Sequence, residues 1–333
     1  STAPSRDDSL ALLFSCAHPA LAPAAAIPLT LRAVGGLATP EIARLLLLTE
    51  PAVNQRIHRA KQGIRDSGVR FRLPTPAEWP ARLRAVLHVL YLLATIGNAP
   101  GDAVGDLSHG DAAAEAVRLL RELDRLLPDE PEVGGLLALV LLTESRRPAR
   151  TGPAGELVPL DEQDRTRWDP ELIAEGTARV ERAMRRGRVG AYQLQAAVAA
   201  VHAEATDWRD TDWPQIAGLY EVLAGIDPSP VVTLNRAAAI GEAGQAREGL
   251  AMLDALAEDD AVPRRLGHRL PAARAHLLSR LGDRAGAHEA YRAAAAAATS
   301  VPERDLLVLR AARCAPGPPH ISATDEMSGG VPG

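Results

Sequence analysis

Apolar residues in this chain recur almost everywhere at helical spacing, and stretches of alternating β-branched residues are nearly absent. Aromatic side chains are only 3% of the sequence, which removes the usual filling of a sheet core. The pattern predicts an all-α protein built by packing amphipathic helices on one another. At 333 residues there is room for two or three such cores. The longest apolar run, around 134–142, is about half the roughly 20 residues that cross a bilayer, and it reads as a buried helix. Two cysteines, Cys16 and Cys314, lie too far apart in sequence to form a framework or a metal knuckle and fit a reducing cytoplasm.

Charge is unevenly spread. The whole chain carries −5, yet residues 31–72 hold eight basic residues against Glu41, Glu50 and Asp66, a net +5. That leaves −9 for 73–333 once Arg6, Asp7 and Asp8 are counted. A basic island on an acidic body points to a polyanion-binding module. The island centres on TPEIARLLLLTEPAVNQRIHRAKQGIR, which reads as two short helices around a tight turn. Thr39 is placed to cap the first helix, with Pro40 and Glu41 in its opening turn. Ile42, Leu45 and Leu46 then face inward. Thr49 is placed to cap the second helix. Val53, Ile57, Ala60 and Ile64 form one apolar stripe. Off that stripe lie Asn54, Gln55, Arg56, His58, Arg59 and Lys61, side chains that hydrogen-bond base edges and phosphates. A helix seated on a partner and presenting such a face suits the DNA major groove. A charged outer face is more often only solvated, and the basic island is what favours DNA here.

Downstream, RFRLPTPAEWP (70–80) reads as a stiff linker and 97–110 as a loop. Helices are expected from about Asp111 to Leu127, from Pro131 to Arg146, and at 171–186, 190–205 and 213–226. Residues 146–169 read as an irregular excursion and 316–333 as a disordered tail. Two segments, starting VVTLNRAAAI and PAARAHLLSR, share a layout of helix, glycine (Gly244, Gly282) and second helix, 38 residues apart. Leu253 and Tyr291 correspond, and the small residues Ala251 and Ala287 are expected where the paired helices touch. This is the stacking of a helical solenoid, near the tetratricopeptide period of about 34 residues.

Other constellations are weaker. Cys16 and His18 supply only two ligands, so no metal and no cofactor are expected. Asp161, Glu162, Asp164, Asp169 and Glu171 are expected to pair with Arg146, Arg147, Arg150, Arg165 and Arg167 rather than to do acid–base chemistry. Trp168, Trp208 and Trp213 read as packing anchors. No nucleophile elbow, phosphate loop, zinc-protease helix or dinucleotide fingerprint occurs, and no enzyme is expected.

GGLATPEIARLLLLTEPAVNQRIHRAKQGIR closely resembles region 4 of bacterial sigma factors of the extracytoplasmic-function class, with the V-x-x-R-x-x-R-A cadence at Val53, Arg56, Arg59 and Ala60. FSCAHPALAP, LPDEPEVGGLLALVLL, LDEQDRTRWD, AYQLQAAVAAVHA and DTDWPQIAGLYEVL resemble the subgroup that carries a tetratricopeptide-like C-terminal extension. The resemblance implies promoter DNA (the minus-thirty-five element) as one partner, with Thr49, Asn54, Gln55, Arg56, His58, Arg59 and Lys61 at the DNA. It implies core RNA polymerase as a second, through the β flap, with Leu29, Leu31 and Val34 in the first helix as the candidate contact. A regulatory protein on the extension and a cytoplasmic location with no membrane role complete the picture. Region 2, which precedes region 4 in that class, is not within this sequence. The expected layout is therefore 1–19 as a linker from region 2, 20–72 as the helix-turn-helix domain, 73–315 as the helical extension and 316–333 as the tail. Residues 81–314 are expected to form one body touching the helix-turn-helix unit. The rival is a helix-turn-helix regulator whose tetratricopeptide-type domain is a sensor, without a sigma role.

Overall fold

The computed structural model describes residues 6–46, 48–66, 72–97 and 106–315. The expected tail, 316–333, and Arg70 lie outside them. Sixteen α-helices follow one another: α1 (Arg6–Cys16), α2 (Pro23–Ala33), α3 (Thr39–Leu45), α4 (Glu50–Asp66), α5 (Trp79–Gly97), α6 (Asp106–Leu126), α7 (Pro131–Glu144), α8 (Pro170–Met184), α9 (Ala191–Glu204), α10 (Trp213–Ile226), α11 (Pro230–Ile240), α12 (Ala246–Ala257), α13 (Ala261–Leu266), α14 (Arg269–Arg280), α15 (Arg284–Ala297) and α16 (Val301–Cys314). Among the described residues there is no strand, only one isolated antiparallel bridge between Thr151 and Leu157. The fold is all-α. No described helix is long and apolar enough to cross a membrane.

Local sequence sets the helix starts. Asp169, Asp212, Ser229 and Ser300 each accept a backbone N–H of the first turn on the side chain, and proline follows in the first two positions of α8, α10, α11 and α16. A short side-chain acceptor satisfies an orphan donor, and proline there loses no bond.

The first core runs from Leu10 to Leu141 and joins α1 to α7. Phe14, Leu31 and Ile42 from the N-terminal helices and Leu87, Leu90, Leu120 and Leu137 from α5–α7 are all buried in it. The Phe14 and Trp79 rings lie 5.0 Å apart, and the Arg82 guanidinium donates to the Phe14 carbonyl at 2.6 Å. The extension thus packs directly on the helix-turn-helix unit. Two expectations change. Within the stretch expected as a linker, Arg6–Cys16 is instead a core helix, α1, because Leu10, Leu13 and Phe14 are buried in the shared core and Phe14 meets α5. The boundary at 72/73 does not separate two cores. The helix expected from Asp111 also starts a turn earlier, at Asp106.

From α7 onward, smaller cores follow in series, each sharing a helix with the next: α7–α8–α9, then α9–α10–α11, then α11–α12–α14, then α14–α15–α16. The 38-residue repeat is visible in three dimensions. Gly244 (φ 98°) and Gly282 (φ 81°) make equivalent left-handed turns. Ala237 and Ala275 are both fully buried, as are Leu253 and Tyr291. The helix–helix contact expected at Ala251 lies instead two residues earlier. Ala251 is exposed, and Gly249 is the counterpart of Ala287. A Cβ at Gly249 would lie 2.4 Å from the Ala237 carbonyl oxygen. Gly249→Val is expected to cost about 1–3 kcal/mol by overpacking, whereas Ala251→Val stays within about 0.5 kcal/mol. Urea unfolding of the two variants checks this; equal midpoints would remove the close approach.

The excursion at 146–169 pairs differently from expectation. Asp161 binds Arg310 at 2.6 Å and Glu162 binds Arg313 at 2.7 Å, both on α16. Asp164 and Asp169 spend their oxygens on backbone N–H groups of the turns that follow them. Arg147 pairs with Glu144 on α7. Partners 149 residues away are invisible to a local reading of charge. Arg165 donates to the carbonyls of His202 and Ala205, both at 2.7 Å, and to the Thr211 hydroxyl at 3.0 Å, closing the C-terminal end of α9. Its guanidinium lies over Trp168, 5.1 Å from the ring centroid. His202 sits edge-on to Trp213 at 5.2 Å and stacked on Trp208 at 6.0 Å. Burial, with the nearby Arg146 and Arg165 cations, pushes its imidazole down from 6.5 to about 4. The unfolded chain takes up this proton near 6.5 and the folded chain only near 4, so stability falls as pH drops through that window. His202→Gln, which cannot titrate, is expected to flatten the acid limb by about 3 kcal/mol between pH 7 and 4. Parallel stability curves for variant and wild type would sink this reading.

Candidate nucleic-acid interface

The helix-turn-helix is made by α3 and α4. The position before α3 is Ala38, not Thr39, and its N–H donates to the Glu41 carboxylate at 2.6 Å. Thr39, expected as the cap, instead turns its hydroxyl to the Asn54 side-chain oxygen at 3.2 Å and ties α3 to α4. That link has no local sequence signal, since it spans fifteen residues. Thr49 does cap α4: its hydroxyl oxygen accepts the Ala52 N–H at 3.4 Å. Val53, Ile57 and Ala60 are buried against the core and Ile64 is half-buried, as the apolar stripe requires.

Of the sequence-selected residues, Thr49, Asn54, Gln55, His58, Arg59 and Lys61 are exposed and Arg56 is half-buried. The structure brings these together along the outward side of α4. Arg44 on α3 and Arg65 on α4 are further exposed cations of the same two helices. Arg65 donates to the Gln62 side-chain oxygen at 3.4 Å. Among the described residues, no carboxylate is in ion-pair reach of Arg44, Arg56, Arg59, Lys61 or Arg65. The extension is different. There Arg118 pairs with Glu115 at 2.8 Å, Arg121 with Glu175 at 2.6 Å and Arg186 with Asp129 at 2.6 Å. The main packing neighbours of α4 are α2 and α3, while α5 and α6 cover α1, α2 and α3. The cationic face of α4 is therefore left open by the body that supports it.

Leu29 and Leu31 do not form a docking surface. They are 4% and 0% exposed, within a run from Ala26 to Leu31 that is buried throughout. Because α2 is wrapped by α1, α3, α4 and α5, its apolar residues serve the core on every side. Val34, half-buried, is the one member of that trio with exposed surface. Cys16 is buried, and burial pushes its thiol up to about 12. The His18 ring nitrogen accepts the Ala20 N–H at 3.1 Å. Among the described residues, no group of three or more His, Cys, Asp or Glu is placed to hold a metal ion.

Residues 11–62 match the model of sigma-70, region 4. The match begins inside α1, in keeping with a core helix there. Residues 82–184 match a family of unknown function, DUF6596, from the first turn of α5 to the last residue of α8. An uncharacterized protein of Rhizobium meliloti (strain 1021) is 40% identical over 322 residues, covering 96% of this chain and 75% of that protein. The chain is a sigma-factor-like member of that protein's family. No solved structure matches it. The sigma region 4 match spans α1 to most of α4, so the open cationic face lies on the helix-turn-helix of a domain type that binds DNA.

Proposed function

We propose that this protein acts in transcription initiation, with α4 reading a minus-thirty-five-type promoter element from the major groove. The observation that carries this is the row of exposed polar and cationic side chains on α4, whose cations have no carboxylate in ion-pair reach among the described residues, set against an extension in which many arginines, such as Arg118, Arg121 and Arg186, are ion-paired. Cations held apart from carboxylates on one helix keep their full charge for phosphate, at a cost in self-repulsion that a merely solvated face has no reason to bear. Asn54, Gln55, Arg56 and His58 are the types that read base edges. Arg59, Lys61 and Thr49 suit phosphate, and Arg44 and Arg65 add to the same charge. Asn54 offers its amide N–H groups to DNA while its oxygen holds Thr39.

In this reading the protein docks on core RNA polymerase in the cytoplasm, with the exposed surface around Val34 in place of Leu29 and Leu31. The helical extension, a tetratricopeptide-like solenoid by its 38-residue period, regulates that docking or recruits a regulatory protein. The test is binding of the whole chain to labelled promoter-length duplexes over a series of salt concentrations. A log–log slope of several units is expected, close to one for each phosphate contacted. Affinity that does not change with salt would remove the DNA-reading role.

A further inference from the structure

The excursion carries a strap that crosses to the far end of the molecule. Its backbone hydrogen bonds are local: Gly152 N–H to Glu156, Val158 N–H to Arg150 and Glu162 N–H to Pro159. What joins it to α16 is side-chain chemistry. Asp161 grips Arg310 with both oxygens, at 2.6 and 2.7 Å, and Glu162 reaches Arg313 at 2.7 Å. Leu157, Val158, Pro159 and Leu160 are only half-buried. Cavities of about 350 and 440 Å³ flank the strap, and Leu157 and Leu306 line both. Beside it, Val301 and Leu309 of α16 stay 51% and 58% exposed although both border the larger cavity. Arg310 and Arg313 of α16 thus each hold a carboxylate of the strap, while the apolar groove around them is half filled.

We propose that the groove along α16 is a docking site for an acidic peptide, in which a leucine is followed within four or five residues by two carboxylates on one turn, and that residues 156–162 of this chain hold it in cis. The strap has the chemistry of a ligand. It leads with Leu157, it presents Asp161 and Glu162 on a single 3-10 turn at Leu160–Glu162, and its link to α16 is made by charge. A partner segment that keeps the two carboxylates and covers Val301 and Leu309 buries more apolar surface than the strap does, and so displaces it. Occupancy in cis lowers the apparent affinity of any such partner by the fraction of time the groove stands open.

The probe is a fluorescein-labelled peptide with the sequence of residues 154–163, AGELVPLDEQ, titrated with the full chain and followed by anisotropy. In the Asp161→Asn/Glu162→Gln variant the strap loses its anchors while α16 is untouched. These two side chains are partly exposed, so the native fold is expected to persist, and a wild-type circular-dichroism spectrum of the variant under the assay conditions checks it. The variant is expected to bind the peptide at least roughly tenfold more tightly than wild type. Adding Arg310→Ala to it is expected to abolish that binding, and a peptide carrying Asn and Gln in place of the two acids is expected not to bind. Failure of the strap-released variant to bind the peptide, or equal binding by wild type and variant, or binding indifferent to Arg310, overturns the proposal. DNA binding by α4 is not read in this assay, so its outcome stands apart from the promoter-reading role.

Discussion

Phe14→Ala is expected to destabilise the α1–α7 unit by about 3–5 kcal/mol, the range for emptying a fully buried aromatic site. Phe14 is 0% exposed, and its neighbours come from both sides of the expected domain boundary. Its ring meets Trp79 and its carbonyl holds the buried Arg82 guanidinium. Truncation removes the ring contact, worth about 0.5–1.5 kcal/mol beyond area burial, and leaves a cavity in the shared core. Hydrogen exchange is the sharper measurement. Protection is expected to fall together in α4 and in α5, because one core supports both. If α4 loosened while α5 kept its protection, the helix-turn-helix would be an independent body and the shared core would carry no coupling.

Arg56→Ala and Arg59→Ala are each expected to weaken DNA binding by about 1–3 kcal/mol, roughly 5- to 150-fold, without lowering the melting temperature. Both side chains lie off the buried stripe, and among the described residues neither has a carboxylate partner to lose. Arg185→Ala is the control. Arg185 is an exposed arginine just past the end of α8, paired with Glu181 at 3.3 Å, and its loss is expected to leave DNA affinity unchanged. A phosphate contact shows itself by a salt slope about one unit shallower, a base contact by relaxed sequence preference at one position. If both variants bound like wild type at every salt concentration, α4 would not be the reader.

Much of this was legible in the sequence wherever the information is periodic or positional. The stripe of Val53, Ile57 and Ala60 predicts the buried face of α4, and Thr49 followed by Pro51 predicts its start. Gly244 and Gly282 mark the repeat, because only their φ values let the chain turn there cheaply. What was not legible is what depends on distant partners. Leu29 and Leu31 have the same apolar character whether they face a polymerase or a neighbouring helix, and only the packing of α1, α3, α4 and α5 around α2 decides between these. Asp161 and Glu162 sit among nearer arginines in sequence, yet pair with α16. Thr39 looks like a cap until Asn54 is seen beside it. The open side of α4 could be predicted from its residue types, but that the acidic extension leaves it uncovered could not.

The serial arrangement of the cores past α7 bears on how the molecule comes apart. Each of these helices is stabilised chiefly by its immediate neighbours, so opening can start at a free end and spread inward one hairpin at a time, in the manner of a zipper. The strap alters that order. By clasping α16 from a segment anchored beside α7, Asp161 and Glu162 pin the last hairpin of the array to its beginning. The end that would otherwise fray first is held at two arginines, and letting go of them hands the array back its loose end.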